Sequence, residues 1–264
     1  MINMKNTTSY EYIKELLSKG SREDGRKSND FRKYTIEKGT MPNAEGSATV
    51  NLGYTRVIAG VKVVLGSPMK DRPNEGNMAM SAELLPLASP DFETGPPSPE
   101  AIELARVVDR GIRAANIIDL PKLFIEEEKV WDVYTDLYVL NFDGNLFDAC
   151  TLAATTAILS ARMPKYENEQ VIREGNLGKL PLTGNMVTSC TFGSVAGNMI
   201  LDMNANEESF ASARLTIAND ENVVRAMQKG LEGSFTEKEV ADMLEVTFEK
   251  SKELRKSINN SIGE

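Results

Sequence analysis

Strand-like runs and capped helices alternate along this chain in two unequal blocks, and this alternation restricts its fold more than any other feature. In the first block, Ala48–Leu52 and Arg56–Leu65 are β-rich runs around a turn at Gly53–Tyr54–Thr55. Residues 66–77 read as a loop, and residues 79–88 as a further strand. Residues 130–140 alternate so that Trp131, Val133, Leu137 and Val139 share one strand face. Between these strands, Ser98-Pro99-Glu100 opens a helix: serine suits the N-cap, proline the first turn and glutamate the positive end of the dipole. That helix is expected to reach about Ile118, before Pro121. A second, rich in Ala and Leu, spans about Asp148 to Arg162 and stops before Pro164. A short amphipathic helix at 8–19 presents Tyr10, Ile13, Leu16 and Leu17. Residues 164–185 are polar and loop-like. Short strands then recur at Val187–Phe192, Asn198–Met203, Ala213–Ile217 and Val223–Gln228. The capping box Thr236-Glu237-Lys238-Glu239 starts a last helix, with Val240, Leu244 and Phe248 on its apolar side. The expected fold class is α+β: mixed sheets packed with helices in two units, residues 1–185 and 186–264.

Composition removes most catalytic chemistry. The 264 residues include no histidine and only two cysteines, Cys150 and Cys190. Ser-His-Asp and Cys-His catalysis, histidine relays and HExxH zinc sites are thereby excluded, and a structural zinc site lacks ligands. The cysteines read as buried reduced thiols. No apolar run approaches the roughly 18 residues of a membrane span, and Met1 to Lys19 has no apolar leader block; the expected location is cytoplasmic. A net charge of −9 and a pI of about 4.9 oppose nucleic-acid binding unless a local basic patch supplies it.

One such patch is encoded in the helix after Ser98. Leu104, Val107, Val108, Gly111, Ile112 and Ala115 share a broad apolar face, and Arg106, Arg110 and Arg113 fall together opposite it. Three guanidiniums in one sector could grip successive phosphates. By spacing alone, a solvated face is the stronger reading, with Glu103–Arg106 and Asp109–Arg113 ion pairs. Asp132 and Asp136 lie about 13 Å apart along one strand, too far for a dyad, and read as solvent-side residues. Asp202, Glu207 and Glu208 could hold Mg²⁺, but a solvated turn is favoured. Gly175-Asn176-Leu177-Gly178-Lys179 imitates a phosphate loop, yet Arg173 and Leu180 break the Walker A pattern. No metal site and no cofactor are expected.

The stretches SREDGRKSNDFR, GYTRVIAGVKVVLG, ELLPLASPDFETGPPSPEAIELARVVDRGIR and NFDGNLFDACTLAATTAIL resemble the ribonuclease PH superfamily. Within it they are most similar to the larger, non-catalytic ring subunit of the archaeal exosome, from about residue 10 to 250. The resemblance implies a ribonuclease-PH-like fold and a hexameric ring, a trimer of heterodimers with a catalytic sister subunit. It also implies cap proteins with S1 domains and RNA as partners, and no membrane. Catalytic members carry a Gly-Thr-Arg-Thr turn whose arginine binds the attacking phosphate; the matching turn here is Gly144-Asn145-Leu146-Phe147. They also carry a Glu-Ala-Asp-like segment, matched here by Ser212-Ala213-Arg214. The resemblance therefore implies no catalytic residues in this chain, and RNA contacts from Arg106, Arg110 and Arg113. Arg22, Arg26 and Arg32 are further basic candidates. The alternatives are a self-sufficient phosphorolytic exoribonuclease and a pure ring scaffold that never touches RNA.

Overall fold

The longest strand, Lys129–Asn141, buries every second side chain, from Trp131 through Val133, Thr135 and Leu137 to Val139, and the first sheet is built around it. The structure, a computed structural model, describes residues 4–175 and 177–263. Met1 of the N-terminal stretch and Asn176 of the glycine-containing loop lie outside them. The sheet orders its strands as Tyr34–Lys38, Gly46–Leu52, Thr55–Gly66, Lys129–Asn141 and Asn77–Leu84. All neighbours are antiparallel except the last pair, which is parallel. The second sheet is antiparallel throughout, in the order Asn198–Leu201, Thr188–Val195, Ala211–Asn219, Val224–Gly230.

Five helices accompany the sheets among the described residues: α1 (Met4–Ser18), α2 (Pro99–Ala114), α3 (Leu146–Leu159), α4 (Ala205–Ser209) and α5 (Glu237–Ile262). Helix α3 touches Gly46–Leu52 and Thr55–Gly66 of the first sheet and Thr188–Val195 of the second. It is buried on every side, from Phe147 to Ile158, which is why its sequence is apolar and small all round rather than striped. One continuous core results, running from Val50 and Val139 through Leu152 to Phe192 and Ile217. Cys150 and Cys190 are both buried and unbridged within it. Helix α5 packs on the second sheet, α3 and the strand Tyr34–Lys38. Among the described residues no helix is long and apolar enough to cross a membrane.

Several boundaries differ from the sequence reading. The strand expected at 79–88 ends at Leu84, and Ala88 donates back to the Leu85 carbonyl at 2.8 Å in a turn around Pro86, which has no N–H for a ladder. Helix α2 stops at Ala114 rather than Ile118: Asn116 takes a left-handed φ of 49°, and Asn185 Nδ2 caps the Ala115 carbonyl at 2.7 Å. Ile117 and Ile118 are thereby drawn into the core. Helix α3 begins two residues earlier than expected and ends at Leu159. The polar stretch 164–185 contains a small hairpin, Lys165–Glu167 with Gln170–Ile172. The strand Tyr34–Lys38 and helix α4 carried no recognised sequence signal.

Candidate functional site

Helix α2 forms as its sequence dictates. Ser98 accepts from the Ala101 N–H at 3.2 Å, and Leu104, Val107, Val108, Gly111 and Ile112 face inward. That burial fixes the opposite face, so Arg106 and Arg110 are exposed and Arg113 is half-buried. The three arginines are not equivalent. Arg113 is held inside the chain, donating to Asp109 at 2.9 and 3.1 Å and to the Met78 carbonyl at 2.9 Å. Arg110 donates to Gln228 Oε1 at 2.8 Å. Arg106 makes no hydrogen bond or ion pair among the described residues. The expected Asp109–Arg113 pair is present. The expected Glu103–Arg106 pair is not, because Glu103 Oε1 accepts instead from Arg214 at 3.0 Å and Gln228 at 3.3 Å.

These contacts tie the arginine face of α2 to the N-terminal end of α3. Hydrogen bonds run from Arg110 through Gln228 and Glu103 to Arg214, whose guanidinium carbon lies 4.3 Å above the ring centroid of Phe147. Phe147 belongs to the turn that opens α3. Gly144 there has φ +80°, and a Cβ on it would lie 2.5 Å from the Met203 carbonyl. Asn145, at φ +53°, takes the N-cap; its amide donates to Asp148 at 2.9 Å and to Asp202 at 2.7 Å. Leu146, half-buried, presents only carbon and offers no hydrogen-bond donor. Burial pushes the carboxyls of Asp148 and Glu208 above the ordinary range, against hydrogen bonds from Ser189, Asn145 and Thr191 on the first and the Asn145 N–H on the second.

Next to this turn the sequence reading needs two corrections. Asp202, Glu207 and Glu208 are not a solvated turn: Asp202 is 0% and Glu207 1% exposed. Arg22, Arg26 and Arg32 are not free basic candidates, for they neutralise that cluster. Arg22 grips Glu207 with Nε at 2.8 Å and Nη2 at 2.5 Å, and donates to the carbonyls of Leu201 and Asp202. Arg32 reaches Asp202 with Nε at 3.0 Å and Nη2 at 2.7 Å, and Arg26 reaches it at 3.0 Å. Helix α4 closes the cluster with a capping box between Asn204 and Glu207. The carboxylates of Asp202 and Glu207 are thus turned to guanidiniums of this chain, and among the described residues no group of three or more acidic or cysteine side chains is arranged to hold a metal ion. Partners separated by 170 and 185 residues leave no local spacing signal, and a separation of 111 residues likewise hid Arg214 as the partner of Glu103.

The sequence matches the 3' exoribonuclease family, domain 1 over residues 30–164 and domain 2 over residues 185–250. It is 44% identical over 257 residues to exosome complex component Rrp42 of Thermococcus gammatolerans, covering 95% of this chain and 94% of that protein. Its fold superposes on a chain of an Archaeoglobus fulgidus exosome with RNA bound to the active site, with a TM-score of 0.90 and 40% identity, covering 96% of this chain and 99% of that one. A chain of an archaeal exosome core gives 0.86 and 36%, covering 97% and 98%.

Proposed function

The chain belongs to the 3' exoribonuclease, or RNase PH, family and is a homologue of archaeal exosome core components; from that premise we propose that it is a non-catalytic ring subunit, which structures the active site of a catalytic sister chain and holds RNA for 3'-to-5' phosphorolysis. The observation that carries this reading is the state of the α3 turn. Leu146 replaces the phosphate-binding arginine of catalytic members, and Arg214 replaces the carboxylate of their Glu-Ala-Asp-like segment. Arg214 lies over Phe147 and is paired with Glu103, so a cation stacked on the turn occupies the place of acid–base or metal-supporting chemistry. Leu146 offers inorganic phosphate no donor, and Arg214 brings no carboxyl group to protonate a leaving 3' oxygen.

The RNA-holding part of the reading rests on α2. Arg106 is uncommitted among the described residues, and Arg110 is tethered only by a neutral amide. Both can turn to phosphate oxygens, which would neutralise charge without reading bases. Arg113 remains in the proposed contact set, but to reach RNA it must release Asp109 and the Met78 carbonyl. In this reading the chain divides at residues 185/186 into two ribonuclease-PH-like units. It alternates with the sister subunit in a hexameric ring, lies beneath S1-domain cap proteins, and works in the cytoplasm.

The test is phosphorolysis of a short RNA by this chain alone, by the sister chain alone and by the mixture. The expected result is no nucleoside diphosphate from this chain, and activity in the mixture above that of the sister chain. Nucleoside diphosphate release by the purified chain alone would instead favour a self-sufficient enzyme.

A further inference from the structure

Glu103 and Arg106 stand three residues apart on α2, the spacing at which a carboxylate and a guanidinium pair along a helix. They do not pair. Glu103 Oε1 accepts from Arg214 Nη2 at 3.0 Å and from Gln228 Nε2 at 3.3 Å, and Arg106 makes no hydrogen bond or ion pair among the described residues. The strand Ala211–Asn219 presents the competing guanidinium in a fixed pose. The Arg214 side chain is 12% exposed, lies over the Phe147 ring, and crosses the neighbouring strand at Gly230, its register partner. A Cβ at Gly230 would stand 2.7 Å from Nη2 and 3.1 Å from Cζ and Nε, so glycine leaves the fork its place. A fork held in this way loses little rotamer freedom on pairing, whereas Arg106, exposed on its helix, would lose much of its own. Arg214 also has the greater need of an acceptor. Its Nε is enclosed without a partner, and the Glu208 carboxylate is 3.9 Å from Nη1.

We propose that Arg214 is a positioning residue for RNA: it draws Glu103 away from Arg106 and cancels its charge, so that Arg106 keeps its donors for phosphate. This rests on the reading of α2 as an RNA contact. Gln228 extends the arrangement to Arg110. Its amide nitrogen donates to Glu103 while its Oε1 accepts from Arg110 at 2.8 Å, so a neutral group stands between that carboxylate and the second arginine. Without Arg214, Glu103 is an unpaired carboxylate within one helical turn of Arg106. It would take up the Arg106 guanidinium and set a negative charge against incoming phosphates. The helix pair alone is worth about twofold in affinity, and the uncancelled charge adds a comparable factor. The residue that stands where catalytic members carry a carboxylate thus acquires a role of its own, exerted through Glu103 and without touching RNA.

The experiment measures phosphorolysis of a short RNA by rings of this chain with its sister subunit, with ring integrity checked by sizing. Arg214→Met keeps a long side chain against Phe147 and drops the charge; it should raise the KM for RNA about threefold to fourfold with kcat unchanged. Adding Glu103→Gln should return KM to the wild-type value, because the double variant restores the pair to zero net charge. Gly230→Ala displaces the fork with every charge in place and should raise KM by less, again reversed by Glu103→Gln; this second comparison decides the matter if Arg214→Met does not assemble. A rise in KM that Glu103→Gln does not reverse, or a fall in kcat, makes Arg214 a structural support of the α3 turn and overturns the proposal. An unchanged KM in Arg214→Met beside a raised one in Arg106→Glu also overturns it. If Arg106→Glu too leaves KM unchanged, the RNA reading of α2 fails and the proposal falls with it. A measurement on the ¹⁵N-labelled full chain alone needs no RNA. The Arg106 Nε–H resonance, identified by its loss in Arg106→Lys, should shift in Arg214→Met and return in the double variant. No shift would show that Glu103 stays off Arg106 without Arg214, which overturns the proposal while leaving the RNA reading intact.

Discussion

The arginines around Asp202 and those on α2 have the same chemistry and opposite employment. Arg22 and Arg32 are 3% and 6% exposed, and their forks are filled by carboxylates and carbonyls of this chain. Arg106 and Arg110 point outward from a helix whose other face is core, and the fold supplies them with at most one neutral acceptor. An arginine is therefore free to serve a ligand only where the fold leaves its donors unspent. The basic residues nearest the α3 turn are thus structural, whereas those of α2, linked to that turn through Gln228 and Glu103, remain available.

The sharpest way to break this contrast is to remove the acceptor on the buried side. Asp202 receives Arg26, Arg32, the Arg32 backbone N–H and Asn145. Asp202→Ala leaves two guanidiniums near an empty site and should cost about 3–5 kcal/mol of unfolding free energy, measured by denaturant titration. A loss below 1 kcal/mol would mean that the cluster is better solvated than its burial indicates.

The exposed side should respond in binding, not in stability. Arg106→Glu with Arg110→Glu is expected to leave the ring assembled, as judged by sizing, while raising the KM for RNA about tenfold or more. The slope of log affinity against log salt should become shallower by about 1.4, since each single-strand phosphate contact contributes about 0.7. Unchanged RNA affinity in an intact double-mutant ring would return α2 to a solvated face and favour a pure scaffold. Assembly itself is testable by native mass spectrometry of the mixed chains, which should give equal numbers of the two.

Arg113 lies between the two classes and should give the smallest effect. Its pair with Asp109 is partly exposed, so Arg113→Ala should cost only about 0.5 kcal/mol of stability and change RNA affinity less than either of its neighbours. An RNA defect as large as that of Arg106→Ala would show that Arg113 abandons Asp109 when RNA arrives.

Residues that settle their own neighbourhood were legible in the sequence. Ser98 and the Thr236–Glu239 box cap helices within a span of three residues, and both caps form where they were read. The alternation of Trp131 to Val139, and the apolar stripe that turns Arg106 and Arg110 outward, follow from the periods of strand and helix alone. The identities of Leu146 and Arg214, on which the proposed lack of catalysis rests, are likewise read directly from the sequence. Everything that depends on long-range pairing was left to the tertiary structure. Arg22 finds Glu207, Arg32 finds Asp202, Glu103 prefers Arg214 to its own helix neighbour, and Arg255 is buried beside an Asp220 already taken by Arg225. Local caps and periods are fixed by bonds a few residues long, which the sequence carries explicitly. Whether a charged group is spent or free is fixed by which distant chain segments burial brings against it, and that is decided only when the two sheets close on α3.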